Sequence, residues 1–233
     1  MTIAGNMALE RLGLTRSPVA VGFLDTPPSD LPRIERPAPA GCGYWTLASE
    51  GAAFYTTAAD HENCPLGALT HGVDLPPSNA EELRSLVGTM IDLKYLAPDE
   101  VERIPRRRAS LRVAAYAPLD RATFPADVAI FRGNARQIMI LSEAARAAGA
   151  FAPATVMGRP ACAMLPQAIA SDAAAASLGC IGNRVYTGLG DDELYLAVPA
   201  AKVGAMLAQL EAVLDANLEL ERFHRQRRSE RGG

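Results

Sequence analysis

The apolar and polar positions alternate between two periods along this chain, and the switches between them mark its elements. Met7–Leu14 carries a short helical pattern, and Pro18–Leu24 (P-V-A-V-G-F-L) is a continuous apolar run of the length and composition of a buried strand. Thr26–Pro39 holds five prolines and breaks both periods, which makes it an extended connection. Beyond it, helical spacing over Gly43–Glu50, a strand pattern over Ala52–Thr57 and a short helix over Pro65–His71 follow closely. Ser78–Leu93 is a longer helix with Ser78 or Asn79 as its cap and two glutamates in the first turn, and Pro98–Arg103 is a further helical turn.

The same alternation returns in the second half. Arg112–Ala117 and Ala126–Arg132 are strand candidates, and Asn134–Ala148 is an amphipathic helix capped by Asn134 and stopped at Gly149. Glu193–Val198 is a strand, followed by a long helix from about Ala200 to Arg225 that frays into the basic tail 226–233. Gly188-Leu-Gly190-Asp-Asp has the look of a tight turn between strands, because the helix and third glycine of a phosphate loop are missing. The expected fold is mixed α/β (α+β): duplicated halves around a central mixed sheet with a long C-terminal helix, in a single domain spanning 1–233. The pseudo-repeats are expected at about 9–75 and 110–199, with Pro18–Leu24 matching Ala126–Arg132.

Composition narrows the class without naming an activity. The chain has 233 residues, 49% apolar and 21% charged, with a net charge of −3, which suits a globular core and offers no general case for nucleic-acid binding. No apolar run reaches the ~18 residues of a membrane helix, and the N-terminus lacks the basic-then-apolar order of a secretory signal. A cytoplasmic location is therefore expected, where thiols stay reduced and metal binding or thiol chemistry explains paired cysteines better than disulfides do.

Four cysteines carry the chemistry. Cys42 and Cys64 are separated by 21 residues, Cys162 and Cys180 by 17, and each pair brackets a helical stretch and an apolar segment. Cys42 matches Cys162, and Cys64 matches Cys180. Three of the four sit where a helix or glycine-rich turn begins, a setting that favours thiolate. Pro65 after Cys64 suits a first helical turn and aims the thiol, while Gly67 and Gly182 leave room for a bulky inorganic group. Four converging thiolates would hold a metal or an iron–sulfur cluster. The competing reading is burial, since free cysteine is among the most buried residue types and no C-x-x-C pair occurs. His61 and His71 flank Cys64 in H-E-N-C-P-L-G-A-L-T-H, as ligand, proton-transfer or hydrogen-bond candidates. Trp45, three residues after Cys42, reads as a core filler. Arg106–Arg108 and the terminal arginines read as exposed.

The order S-P-V-A-V-G-F, E-G-x-x-F-Y-T-T, D-H-x-N-C-P-L-G-A, F-R-G-N-A-R-Q, A-C-A and L-G-C-I-G-N-R resembles the bacterial and archaeal domain of unknown function 169 family, from about Leu9 to Leu214. The resemblance implies that cysteines recur at the positions of Cys42, Cys64, Cys162 and Cys180; it brings no settled reaction. The leading expectation is a [4Fe–4S] cluster held by these four residues, serving electron transfer or a redox or sulfur-transfer reaction on a small molecule. Haem bound through Cys64-Pro65 and a histidine, a non-redox ligand-binding protein with buried cysteines, and a thiol enzyme using Cys64 are the alternatives. Expected partners are a small-molecule substrate or a redox protein, with no nucleic acid and no membrane; a homo-oligomer is compatible with the sequence.

Overall fold

The three-dimensional structure, a computed structural model, describes residues 3–150, 156–157 and 160–230; the expected tail beyond residue 230 and parts of the second repeat lie outside them. Seven strands form one sheet in the order β2-β3-β1-β4-β7-β6-β5. They are β1 (Val19–Leu24), β2 (Phe54–Thr57), β3 (Val113–Pro118), β4 (Val128–Asn134), β5 (Val156–Met157), β6 (Ala175–Ser177) and β7 (Glu193–Pro199). Every pairing is antiparallel except β5 with β6, so the sheet is mixed as expected.

The strand order is symmetric about its centre. The outward series β1, β3, β2 is mirrored by β4, β7, β6, and the two series meet where β1 pairs antiparallel with β4 through Val19↔Ile130, Ala20↔Ala129 and Val21↔Val128. The match of Pro18–Leu24 with Ala126–Arg132 thus has a structural counterpart. The repeat boundaries shift: β3, which falls in the second of the expected repeats, belongs by its pairing to the first half.

Side-chain alternation along the strands divides the core between two faces. Val19, Val21, Tyr116, Ile130 and Tyr195 point to one face, where they pack with Tyr44, Trp45, Met164 and Leu165. That face carries four short helices, α2 (Gly43–Ser49), α3 (Pro65–His71), α7 (Met164–Ser171) and α8 (Ile181–Thr187). Phe131, Leu196 and Val198 point to the other, against α1 (Ile3–Leu12), α6 (Ala135–Ala147) and α9 (Ala200–Glu230). Fully buried side chains such as Leu141 and Leu210 each stabilise this face by about 1.5–3 kcal/mol.

Two helix boundaries differ from expectation. The helix expected at Ser78 is α4 (Pro77–Asp92), followed by α5 (Glu100–Arg103); it starts earlier, with Pro76 at the N-cap position and Pro77 opening its first turn. Proline needs no partner there for the N–H it lacks, so the Ser78 hydroxyl goes to Asn79 and the Asn79 amide to the Glu62 carbonyl instead. α9 does not fray at Arg225 but continues through Glu230, over 31 residues, beside ion pairs such as Arg225–Glu221. The Gly188–Asp192 turn is real, but it joins α8 to β7 and not two strands; Gly188 ends α8 in the left-handed region at φ 60°.

Asn134 caps α6 reciprocally: its side chain accepts from the Gln137 N–H at 3.0 Å, and Gln137 accepts from the Asn134 N–H at 2.9 Å. Gln137 also donates to the carbonyls of Leu12 and Gly13, tying α1 to the sheet. Asn134→Ala is expected to lower the unfolding free energy by about 1–2 kcal/mol in urea titrations. An unchanged midpoint would show that the cap contributes nothing.

Candidate functional site

Each cysteine unit folds as cysteine, short helix, short strand, cysteine, short helix. Cys42 immediately precedes α2, β2 follows, and Cys64 precedes α3 with Pro65 in its first turn. Cys162 sits in the 3-10 turn Ala161–Ala163 that runs into α7, β6 follows, and Cys180 precedes α8. The paired positions also match in burial. The first cysteine of each unit is nearly inaccessible, at 8% for Cys42 and 7% for Cys162, whereas Cys64 and Cys180 are half-buried.

All four line a single cavity of about 390 Å³. They are close enough that charge on one raises the cost of charge on the others, and all four remain free thiols. Burial pushes the Cys42 thiol up to about 12, against partial relief from the Asn183 side chain. Burial also pushes Cys162 up strongly; the charges of its neighbours add to this, and the Thr70 hydroxyl, donating at 3.1 Å, opposes it. Cys64 is raised by burial but receives the backbone N–H groups of Gly41 and Gly67. A Cβ on Gly67 would lie 3.0 Å from the Cys64 sulfur, so the missing side chain is what lets the thiol fold back over the first turn of α3. Among the described residues, no three His, Cys, Asp or Glu side chains form a group that could hold a metal ion.

The histidines lie behind the site. His61 and His71 are almost completely buried and neither lines the cavity; their rings meet edge to face at 5.5 Å. His61 Nε2 contacts the Thr56 hydroxyl at 2.9 Å, while His61 Nδ1 and both nitrogens of His71 have no partner among the described residues. A Cβ at Gly41 would lie 3.4 Å from His61 Nδ1 and 3.8 Å from His71 Cε1, so this glycine lies against both rings. Burial holds the His61 imidazole down at about 4, and it holds His71 well below the ordinary histidine range with added repulsion from His61 and Arg107. Trp45 is a core residue set edge-on against Tyr195. Arg107, expected to be an exposed loop residue, instead lies 4.2 Å over the Phe23 ring and donates to the His71 carbonyl.

The residues that close the cavity carry little sequence signal. Asn183 is 2% exposed, and neither end of its carboxamide makes a hydrogen bond of ordinary geometry among the described residues. The outer wall comes from Leu86 and Met90 of α4 and from Tyr95, Leu96 and Ile104 around α5. The second half runs from α8 to β7 through Gly188–Asp192 alone, so α4 and α5 are an insertion peculiar to the first half. No side chain of α4 is buried, although 16 residues long, because its apolar face overlies the cavity and not the core.

A family model for domain of unknown function 169, described as uncharacterised ArCR, matches residues 9–209. The chain belongs to this family. The matched region runs from α1 into α9 and contains both cysteine units of this DUF169 protein. No curated protein and no solved structure matches it.

The buried histidines of this DUF169 protein make its stability dependent on pH. Their folded-state affinity for protons is below that of the unfolded chain, so the unfolded state binds more protons between about pH 6.5 and 4. Stability is therefore full above pH 6.5 and falls on acidification through that window, by about 3 kcal/mol for His61 alone. Urea titrations across pH 4–7 measure it. His61→Gln is expected to remove close to one proton from the slope; an unaltered slope would overturn the assignment.

Proposed function

We propose that this protein holds a [4Fe–4S] cluster on Cys42, Cys64, Cys162 and Cys180 and uses it in one-electron or sulfur-transfer chemistry on a small molecule, in a reducing compartment such as the cytoplasm. The observation that carries the reading is that the four cysteines, contributed by both halves, line one cavity. The cluster would supply reversible one-electron transfer; the chain supplies four thiols, hydrogen bonds to them and exclusion of water.

The surroundings fit such a group. A single zinc ion bound at 2.3 Å would draw its sulfurs to within about 4 Å of one another, whereas each thiolate of a cubane binds a different iron and stands farther out. The buried Cys42 and Cys162 thiols resist ionisation when nothing neutralises them, and iron would offset that cost by taking the thiolates' charge. The Gly41 and Gly67 N–H groups at Cys64, the Thr70 hydroxyl at Cys162 and the amide of Asn183 beside Cys42 are donors of the kind that tune cluster sulfurs. The same buried, raised thiols argue against a thiol enzyme, which needs an accessible thiolate at neutral pH. Both histidines lie outside the cavity lining, which favours the cluster over haem.

Anaerobic reconstitution is expected to give about four iron and four sulfide per chain, with a broad visible absorption that bleaches on reduction. Cys42→Ser and Cys180→Ser, one from each unit, are each expected to lose most of that iron while remaining folded. Iron-free, colourless protein after reconstitution would sink the proposal, and a sharp Soret band would replace it with haem.

A further inference from the structure

The part of the cavity away from the thiols has a chemistry of its own. Its wall toward α4 and α5 is built from Leu86, Met90, Leu96 and Ile104, and Ile181 and Tyr186 of α8 face it from the other half. No lysine, arginine or histidine is among the described lining residues; the one charged side chain is Glu82, exposed on α4. Besides the thiols, the polar side chains of the lining are the carboxamides of Asn63 and Asn183, the phenols of Tyr95 and Tyr186 and the Glu82 carboxylate. Asn183 is the telling one: beyond its approach to Cys42 and Tyr195, its buried amide makes no hydrogen bond of ordinary geometry among the described residues, and a ligand bearing a hydrogen-bonding group would supply one. The volume of about 390 Å³ lies within the ~300–1,000 Å³ range of small-molecule sites.

We propose that this chamber, roofed by the α4–α5 insertion, binds an uncharged, largely apolar small molecule that carries an amide-like or carbonyl hydrogen-bonding group, anchored by Asn183 beside Cys42. Anions are rejected. An apolar wall that carries no cation among the described residues gives a buried carboxylate or phosphate no compensation for lost hydration, and Glu82 at the rim repels it. The α4 helix packs on α3, with Asn79 bonded to the Glu62 carbonyl at 3.2 Å. Its apolar face is therefore free to settle on a ligand. The inference rests on the proposed function only in setting the reacting atoms at the thiols; the binding itself does not require the cluster.

Benzamide and benzoate, alike in shape and different in charge, are the probes. Equilibrium dialysis of each against the full chain, reduced and iron-free and again after reconstitution, is expected to show benzamide bound and benzoate at least tenfold weaker. Met90→Asp, on a helix with no buried side chain, is expected to weaken benzamide at least tenfold with the melting temperature unchanged, and Asn183→Leu is expected to weaken it by a similar factor. Equal binding of the two probes, no binding of benzamide to folded protein, or binding indifferent to Met90→Asp would each overturn the proposal. The two readings fail separately. A chain that takes up no iron but binds benzamide through α4 loses only the cluster, and one that takes up iron but ignores benzamide loses only this chamber.

Discussion

The antiparallel ladder between β1 and β4 is the contact on which the rest of the structure depends. Only three residue pairs, Val19↔Ile130, Ala20↔Ala129 and Val21↔Val128, join the two halves there, and all six side chains are buried. Because the strands run in opposite directions, the halves are related by a rotation, and each presents its cysteine-bearing helices on the same face of the sheet. A one-residue slip in this ladder would turn Val19 and Val21 to the opposite face and separate the two pairs of thiols. The site is thus a consequence of register.

Ionising Cys42, Cys64 or Cys162 in this apolar cavity carries an electrostatic cost. Burial raises Cys42, Cys64 and Cys162, and each would destabilise a charge on its neighbours. The fold answers with donors that differ from thiol to thiol: backbone N–H groups at Cys64, a hydroxyl at Cys162 and a carboxamide near Cys42. These inequivalent surroundings break the symmetry that the repeat imposes. The α4–α5 insertion breaks it further, since it covers one side of the cavity and has no counterpart in the second half.

How much of this was legible depended on the range of the interaction involved. Asn134 announces α6 because the cap and its Gln137 partner are three residues apart. Pro65–His71 is read correctly because proline at the start and glycine at the end are local backbone rules. The start of α4 is misread because Ser78 and Asn79 have the chemistry of caps, yet their polar groups go to one another and to Glu62, a residue distant in sequence. β6 is only three residues long, and its strand character comes from pairing with β7, which no short window contains. Arg107 reads as a loop cation until Phe23, far away in the chain, supplies the ring beneath it.

The same division runs through the site. Residue order alone determined the two matched cysteine units, the helix starts beside them and the family, because each is encoded in local spacing and composition. Only the tertiary structure decided that the four thiols share one cavity and that His61 and His71 stand behind its wall. It also decided that Asn183 lines the cavity without a hydrogen bond of ordinary geometry among the described residues and that α4 forms the roof. Those relations are set by strand pairing between residues more than 100 positions apart, and by which face of each strand finds apolar cover. A linear pattern specifies what each segment can bury, but not which distant segment will bury it.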